Sequence, residues 1–355
     1  MNKSVSQRNP AEKSAMPSPG SAAGGSFFQE SASKKKLAEG SVGFDILFTP
    51  KQGKPVCNSS CSHCYYFANY GGSDAKPPVS AEKVPSIMAQ LKEIGYGKFY
   101  LITSELLLAD NWKEIISASR DNYVNTNGRI IVEKGQALLI ELFACGIRQV
   151  VLTANITPSH SLLNFTPKKI VEAAAQEVRS FNKGNAGKRF SLMLSIIVTS
   201  ENFNKIGEMC GYAKDVCGAN VAKFLALIPF SNSDTKLSPS PAQLSKAISQ
   251  LKAMRKKYPA AEFYIERGGT LGTAGLRDEK KSKFCPAGER MFTIKTLENG
   301  GPVSPCIYTP SISIGRIENG KPLIDRALYR KFMELKKSAL LADRCPAYAL
   351  ANKLL

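Results

Sequence analysis

Cys57, Cys61 and Cys64 stand in the run Cys57-Asn58-Ser59-Ser60-Cys61-Ser62-His63-Cys64-Tyr65-Tyr66, a CxxxCxxC pattern. Three thiolates this close together can hold three irons of a cubane cluster. The fourth iron is then open to bind and reduce a small molecule. The same thiols could bind zinc, which takes four ligands in a closed tetrahedron. His63 is a poor fourth ligand, because adjacent residues rarely reach one tetrahedral ion, and the cluster reading is preferred. A second set of cysteines lies toward the C-terminus: Cys285 and Cys306 on either side of the turn Gly300-Gly301-Pro302, and Cys345 later in the chain. Cys145, Cys210 and Cys217 sit among apolar residues of expected helices and read as buried structural thiols. The chain has only two histidines, His63 and His160, so histidine acid–base catalysis is poorly supported and no general acid or base is assigned. Trp112 and the run Tyr65-Tyr66-Phe67 read as packing residues.

Composition narrows the classes open to such a site. A chain of 355 residues with 43% hydrophobic and 22% charged residues can bury one large core, or one core and a small second domain. Nine cysteines are too few to staple a chain of this length, and no secretion signal precedes them. A cytoplasmic protein is expected, in which close cysteines serve as metal or redox ligands rather than disulfides. No apolar run approaches the roughly 20 residues that span a bilayer, so no membrane partner is expected. The net charge of +19 favours an anionic partner such as an acidic peptide, a phosphorylated metabolite or nucleic acid. No nucleic-acid-binding motif accompanies the charge, and nucleic acid is the least favoured of the three.

The elements that must position the cysteines follow from periodicity. Residues 1–42 are rich in Ser, Ala, Gly, Pro and Lys and read as a disordered basic tail. A βα alternation then begins. Strands are expected at Phe44–Phe48, Lys98–Ile102, Asn122–Asn125, Gln149–Leu152, Leu192–Val198 and Ala222–Ile228. Helices are expected at about Ser80–Ile94, Glu133–Cys145, from Thr166-Pro167 onward, and at about Asn204–Val216. The strands are short continuous apolar runs, the mark of a parallel sheet covered by helices. Functional loops in such folds follow the C-terminal ends of the strands, where the first cysteine run falls. Residues 231–284 are expected to form a linker and a helix, opened by the capping box Ser240-Pro241-Ala242-Gln243 and ending near Tyr258. From Cys285 to the C-terminus, short strands, glycine turns and a basic helix at about Ile324–Ala342 suggest a small separate domain.

Taken together, these residues resemble the radical S-adenosylmethionine enzymes over most of residues 43–350. Cys57, Cys61 and Cys64 match that family's cluster loop. Thr103-Ser104-Glu105, after the second strand, stands where relatives commonly have Gly-Gly-Glu, a segment that binds the amino group of S-adenosylmethionine; only Glu105 matches fully. Thr126-Asn127-Gly128 is similar to the family's Thr-Asn-Gly turn. Thr153 after the fourth strand, and Ser195 or Thr199 on the fifth, fall near positions that contact ribose and carboxylate in relatives. Cys285, Cys306 and Cys345 resemble a reduced SPASM/twitch extension, which would hold one auxiliary cluster. The resemblance implies an α/β fold, a partial (β/α)6 TIM-like barrel with a small α+β C-terminal iron–sulfur extension. The implied cofactors are S-adenosylmethionine, one open-site 4Fe-4S cluster and a second, auxiliary cluster. One electron, from a donor such as flavodoxin or ferredoxin, would cleave S-adenosylmethionine, and the resulting 5′-deoxyadenosyl radical would abstract a substrate hydrogen.

Three functions from different classes follow. The first is modification of a peptide or protein side chain, favoured by the extension and the basic charge. The second is dehydrogenation, deoxygenation or epimerisation of a small molecule such as a sugar, aminocyclitol or amino acid. The third is a non-catalytic iron–sulfur or zinc protein that binds nucleic acid, against which the βα repeat and the matched ligand-binding positions argue.

Overall fold

The computed structural model describes residues 41–46, 57–59, 61, 84–93, 98–103, 105–119, 122–154, 166–185, 187–227, 235–266, 273–274, 291–295, 302–306, 312–318 and 321–341. Strands and helices alternate along them: β1 (Ser41–Ile46), α1 (Val84–Glu93), β2 (Lys98–Thr103), α2 (Trp112–Ser119), β3 (Tyr123–Thr126), α3 (Arg129–Ala144), β4 (Gln149–Thr153), α4 (Lys168–Gly184), β5 (Ser191–Val198), α5 (Ile206–Gly211), β6 (Val221–Ala226), α6 (Pro241–Lys257) and β7 (Glu262–Glu266). A short β8 (Thr273–Ala274) follows. The chain then forms β9 (Met291–Lys295), β10 (Pro302–Ser304), β11 (Gly315–Glu318), β12 (Lys321–Ile324) and α7 (Arg326–Leu341).

The strands form two sheets. In one, β3, β4, β5, β6 and β7 pair in sequence order and all in parallel, with β8 antiparallel at the edge. In the other, β1 lies between β2 and β9, parallel to both, and β10, β11 and β12 extend the sheet antiparallel. This is the mixed α/β architecture expected from the sequence, with a parallel sheet as its centre. Between β2 and β3 lies a seam: no pairing joins these two strands among the described residues.

Apolar residues account for the helix placement. Val150, Val151 and Leu152 of β4 are consecutive and all buried, as a strand covered on both faces requires. Along α4, Val171, Ala174, Ala175, Val178 and Phe181 recur at helical spacing and turn one buried stripe to the sheet. Phe181 meets Phe190 at 5.0 Å between ring centroids, and Phe143 meets Phe190 edge-on at 5.6 Å. This cluster pins the ends of α3 and α4 against the start of β5, each pair adding about 1 kcal/mol beyond burial. The capping box forms as expected: Gln243 N donates to Ser240 Oγ at 3.3 Å, and Ser240 N donates to Gln243 Oε1 at 2.8 Å.

The structure departs from the sequence reading in five places. Strand β1 starts at Ser41 rather than Phe44, so Ser41 and Val42, expected to end the tail, pair with Lys98 and Phe99 of β2. Helix α2 had not been expected; its buried face of Trp112, Ile115, Ile116 and Ser119 is only two turns long, too short for a periodicity signal to stand out. The helix expected from about Glu133 starts at Arg129 and is interrupted at Gly135 (φ 56°, ψ −139°), a backbone conformation open to glycine. The helix expected to continue to Val216 changes from α to π geometry at Tyr212. Strand β7 had also not been expected: it adds in parallel to β6, so the βα repeat runs on through α6 into the stretch read as linker and helix. No helix among the described residues is long and apolar enough to cross a membrane.

Candidate functional site

Glu105 lies two residues past the end of the seam strand β2, and its side chain is completely buried. Its Oε2 accepts the backbone N–H of Asn127, just past β3, at 2.9 Å. One carboxylate thus bridges the C-terminal ends of two strands that share no ladder. Burial pushes its carboxyl up to about 7 from the ordinary value of 4.5, against the opposing pulls of the Asn127 N–H, the Thr126 hydroxyl and the Leu107 N–H. Its other oxygen, Oε1, is buried with no hydrogen-bond partner among the described residues. An acceptor left in that state costs about 1–3 kcal/mol. A cationic ligand group reaching Oε1 would relieve that cost and restore the ionised form.

Asn127 connects this carboxylate to the cysteine loop. Its Nδ2 donates to Asn58 Oδ1 at 2.6 Å and reaches Cys57 Sγ at 3.8 Å. Its Oδ1 accepts from Arg129 N at 3.0 Å. The Arg129 side chain returns to the loop, with Nε 3.4 Å from Ser59 Oγ, and Ser59 Oγ lies 3.5 Å from Thr166 Oγ1 at the entrance to α4. Cys57 and Cys61 are half-buried and Ser59 is buried. Two neighbouring segments therefore contact residues 57–59 of the cysteine loop, the β3–α3 turn and the start of α4, and Asn127 ties them to Glu105 past the end of β2.

The turn itself depends on Gly128. Its φ of 86° lies in the left-handed region, and a Cβ there would fall 2.9 Å from Ala174 Cβ on α4. Thr126 Oγ1 accepts Gly128 N at 3.0 Å and closes the turn. A glycine at this one position lets Asn127 face the cysteines while α3 and α4 pack closely behind it.

The remaining expected site residues fall in three groups. Thr153 and Ser195 are register partners on β4 and β5, so their side chains share one face of the parallel sheet; Thr153 is half-buried and Ser195 buried. Thr199 is fully buried just past β5, where its Oγ1 accepts Glu201 N at 3.2 Å and its N–H donates to Asn202 Oδ1 at 2.8 Å. Those bonds turn the chain from β5 toward α5. Thr103 ends β2, while Ser104, Cys64, Cys285 and Cys345 lie outside the described residues.

Cys306 is buried in the apolar core just after β10. It leaves the β9–β10 hairpin at the end where β9 begins, and Met291 of β9 is level with Ser41 of β1. Glu105 lies past the opposite end of the neighbouring β2. At about 3.3 Å per residue, the two ends are roughly 20 Å apart along the sheet. The structure thus gathers Cys57, Glu105 and Asn127, and leaves Cys306 at a distance. Among the described residues, no three His, Cys, Asp or Glu side chains converge as a metal site.

Burial pushes the thiol of Cys210 up to about 12 and raises those of Cys145 and Cys217. A raised thiol disfavours the ligating thiolate; Cys210 and Cys217 are buried as expected, whereas Cys145 is only half-buried at the end of α3. Sequence reasoning missed Asn58, Ser59, Arg129 and Thr166. Only the Thr126-Asn127-Gly128 turn signalled a polar contact here.

The fold resembles solved structures. A crystal structure of Streptococcus suis SuiB bound to S-adenosylmethionine superimposes with a TM-score of 0.57 at 16% identity, over 83% of this chain and 68% of the SuiB chain. A second SuiB crystal structure gives a TM-score of 0.53 at 14% identity, over 81% of this chain and 66% of that one. At such identity the likeness is one of fold, and it agrees with the partial TIM-like barrel expected from the sequence. No protein-family model and no curated protein sequence matches the chain.

Proposed function

We propose that the chain is a radical S-adenosylmethionine enzyme that modifies a peptide or protein side chain. The observation that carries the reading is the buried Glu105 carboxylate, whose Oε1 has no hydrogen-bond partner among the described residues, linked through Asn127 to Cys57. When bound, a 4Fe-4S cluster and S-adenosylmethionine supply one-electron chemistry that removes a hydrogen atom from a substrate C–H bond.

Each group of residues has a part in this. Cys57, Cys61 and Cys64 would hold the cluster and leave one iron free. Glu105, beside Thr103 and Ser104 in sequence, would balance the positive amino group of the cofactor, which a buried carboxylate oxygen with no partner among the described residues suits. Thr153 and Ser195, on one sheet face, together with Thr199, would meet its ribose and carboxylate. Cys285, Cys306 and Cys345 would hold an auxiliary cluster. The net charge of +19 suits an acidic peptide and an acidic electron donor such as flavodoxin or ferredoxin. The fold shared with a protein crystallised with S-adenosylmethionine supports the cofactor assignment.

The test is anaerobic reconstitution with iron and sulfide, followed by dithionite and S-adenosylmethionine. Formation of 5′-deoxyadenosine by the intact chain, and its loss when Cys57, Cys61 and Cys64 are each changed to Ala, is the expected result. Absence of the product from a fully iron-loaded protein would overturn the reading. Faster product formation with acidic peptides than with sugars or free amino acids is expected of a peptide-modifying enzyme.

A further inference from the structure

Asn127 serves two parts of the site with two different parts of its own structure. Its backbone N–H belongs to Glu105 Oε2, at 2.9 Å. Its side-chain orientation is fixed by a third bond: Arg129 N–H can donate only to an oxygen, so the atom 3.0 Å away is Oδ1. The amide NH2 must then face the cysteine loop, where it meets Asn58 Oδ1 at 2.6 Å and Cys57 Sγ at 3.8 Å. A flipped amide would set oxygen against oxygen at Asn58 and forfeit the Arg129 bond. The left-handed Gly128 and the Arg129–Ser59 contact hold the residue from behind. Asn127 is itself only 9% exposed, so water competes little for its donors.

We propose that Asn127 is a positioning residue whose side-chain amide donates to the Cys57 thiolate and raises the reduction potential of the cluster held there, while its backbone alone serves Glu105. The inference rests on the cluster assignment made above. Reduction adds an electron to the cluster and makes its thiolate sulfurs more electron-rich. An N–H donated to one of them therefore stabilises the reduced state more than the oxidised state. Asn127→Asp keeps the side-chain shape and an oxygen for Arg129 N–H. It places a carboxylate oxygen where the NH2 stood, facing both Cys57 and Asn58 Oδ1. Asn127→Ser removes the reach to Cys57 without adding charge. Both variants keep the backbone N–H that holds Glu105.

The experiment uses the full chain with Cys285→Ala and Cys345→Ala, so that one cluster reports. After anaerobic reconstitution, the midpoint potential is read by redox titration, with the electron paramagnetic resonance of the reduced cluster as the signal. The expected order of potentials is Asn127, then Asn127→Ser, then Asn127→Asp as the most negative, with an altered resonance line shape in both variants. S-adenosylmethionine binding, read by equilibrium dialysis, is expected to weaken no more than about threefold in Asn127→Ser but tenfold or more in Glu105→Gln. Circular dichroism checks folding, and Asn127→Ser carries the test if Asn127→Asp fails to fold. Potentials and line shapes identical to the parent would overturn this inference alone. A parent chain that loads no cluster on Cys57, Cys61 and Cys64 would overturn the proposed function and this inference together.

Discussion

At the residue scale, Glu105 dominates the site. Its folded carboxyl titrates near 7, above the ordinary 4.5, so between these values the folded chain holds a proton that the unfolded chain has lost. The Glu105 contribution therefore destabilises the fold as pH rises from about 4.5 to 7, by about 3 kcal/mol at the upper limit, and levels off beyond. Glu105→Gln should remove this slope and melt at a higher temperature than the parent above pH 7 in the ligand-free state; thermal melts across pH 4–8 would read it. The same substitution should weaken S-adenosylmethionine binding. Because a cationic ligand favours the ionised carboxylate, binding near pH 6 should release a proton. Calorimetry in buffers of different ionisation enthalpy would detect that release, and buffer-independent heats would count against Glu105 as the partner of the amino group.

At the scale of elements, the β3–α3 turn decides whether the site assembles. A side chain at Gly128 meets both a left-handed backbone and Ala174 Cβ at 2.9 Å. Gly128→Ala should lower stability by about 1–3 kcal/mol in denaturant unfolding, and should loosen the cysteine loop that Asn127 and Arg129 hold. The capping box of α6 is a control on another helix: Ser240→Ala should cost about 1 kcal/mol and leave iron loading unchanged. Equal loss of iron in both variants would mean that loading follows global stability rather than this turn.

At the scale of the whole molecule, charge and cluster number make the predictions. An encounter with an acidic electron donor, steered by a net charge of +19, should slow as ionic strength rises from 0.01 to about 0.15 M, where the screening length falls from about 30 to 8 Å. Stopped-flow reduction by a flavodoxin would show it. Two clusters predict about eight irons per reconstituted chain, and Cys306→Ala should lower that to about four while 5′-deoxyadenosine formation persists. The roughly 20 Å between Cys306 and the Glu105 end of the sheet would give an auxiliary cluster at Cys306 surroundings separate from those of Glu105.

The sequence by itself determined the βα rhythm, the cysteine spacing and the capping box, because each is local: a period, a short run, a reciprocal pair of side chains. It also placed Glu105 and the Thr126-Asn127-Gly128 turn as separate matches. Short or non-periodic segments escaped it, so α2 and β7 emerged only with the fold. The seam between β2 and β3, the Asn127 bonds to Glu105 on one side and Cys57 on the other, and the contacts of Ser59 with Arg129 and Thr166 were decided by tertiary structure. Those partners are 22 to 107 residues apart in the chain. Nothing in local spacing says which strand ends will meet, and it is their meeting that turns a buried carboxylate and a cysteine loop into one site.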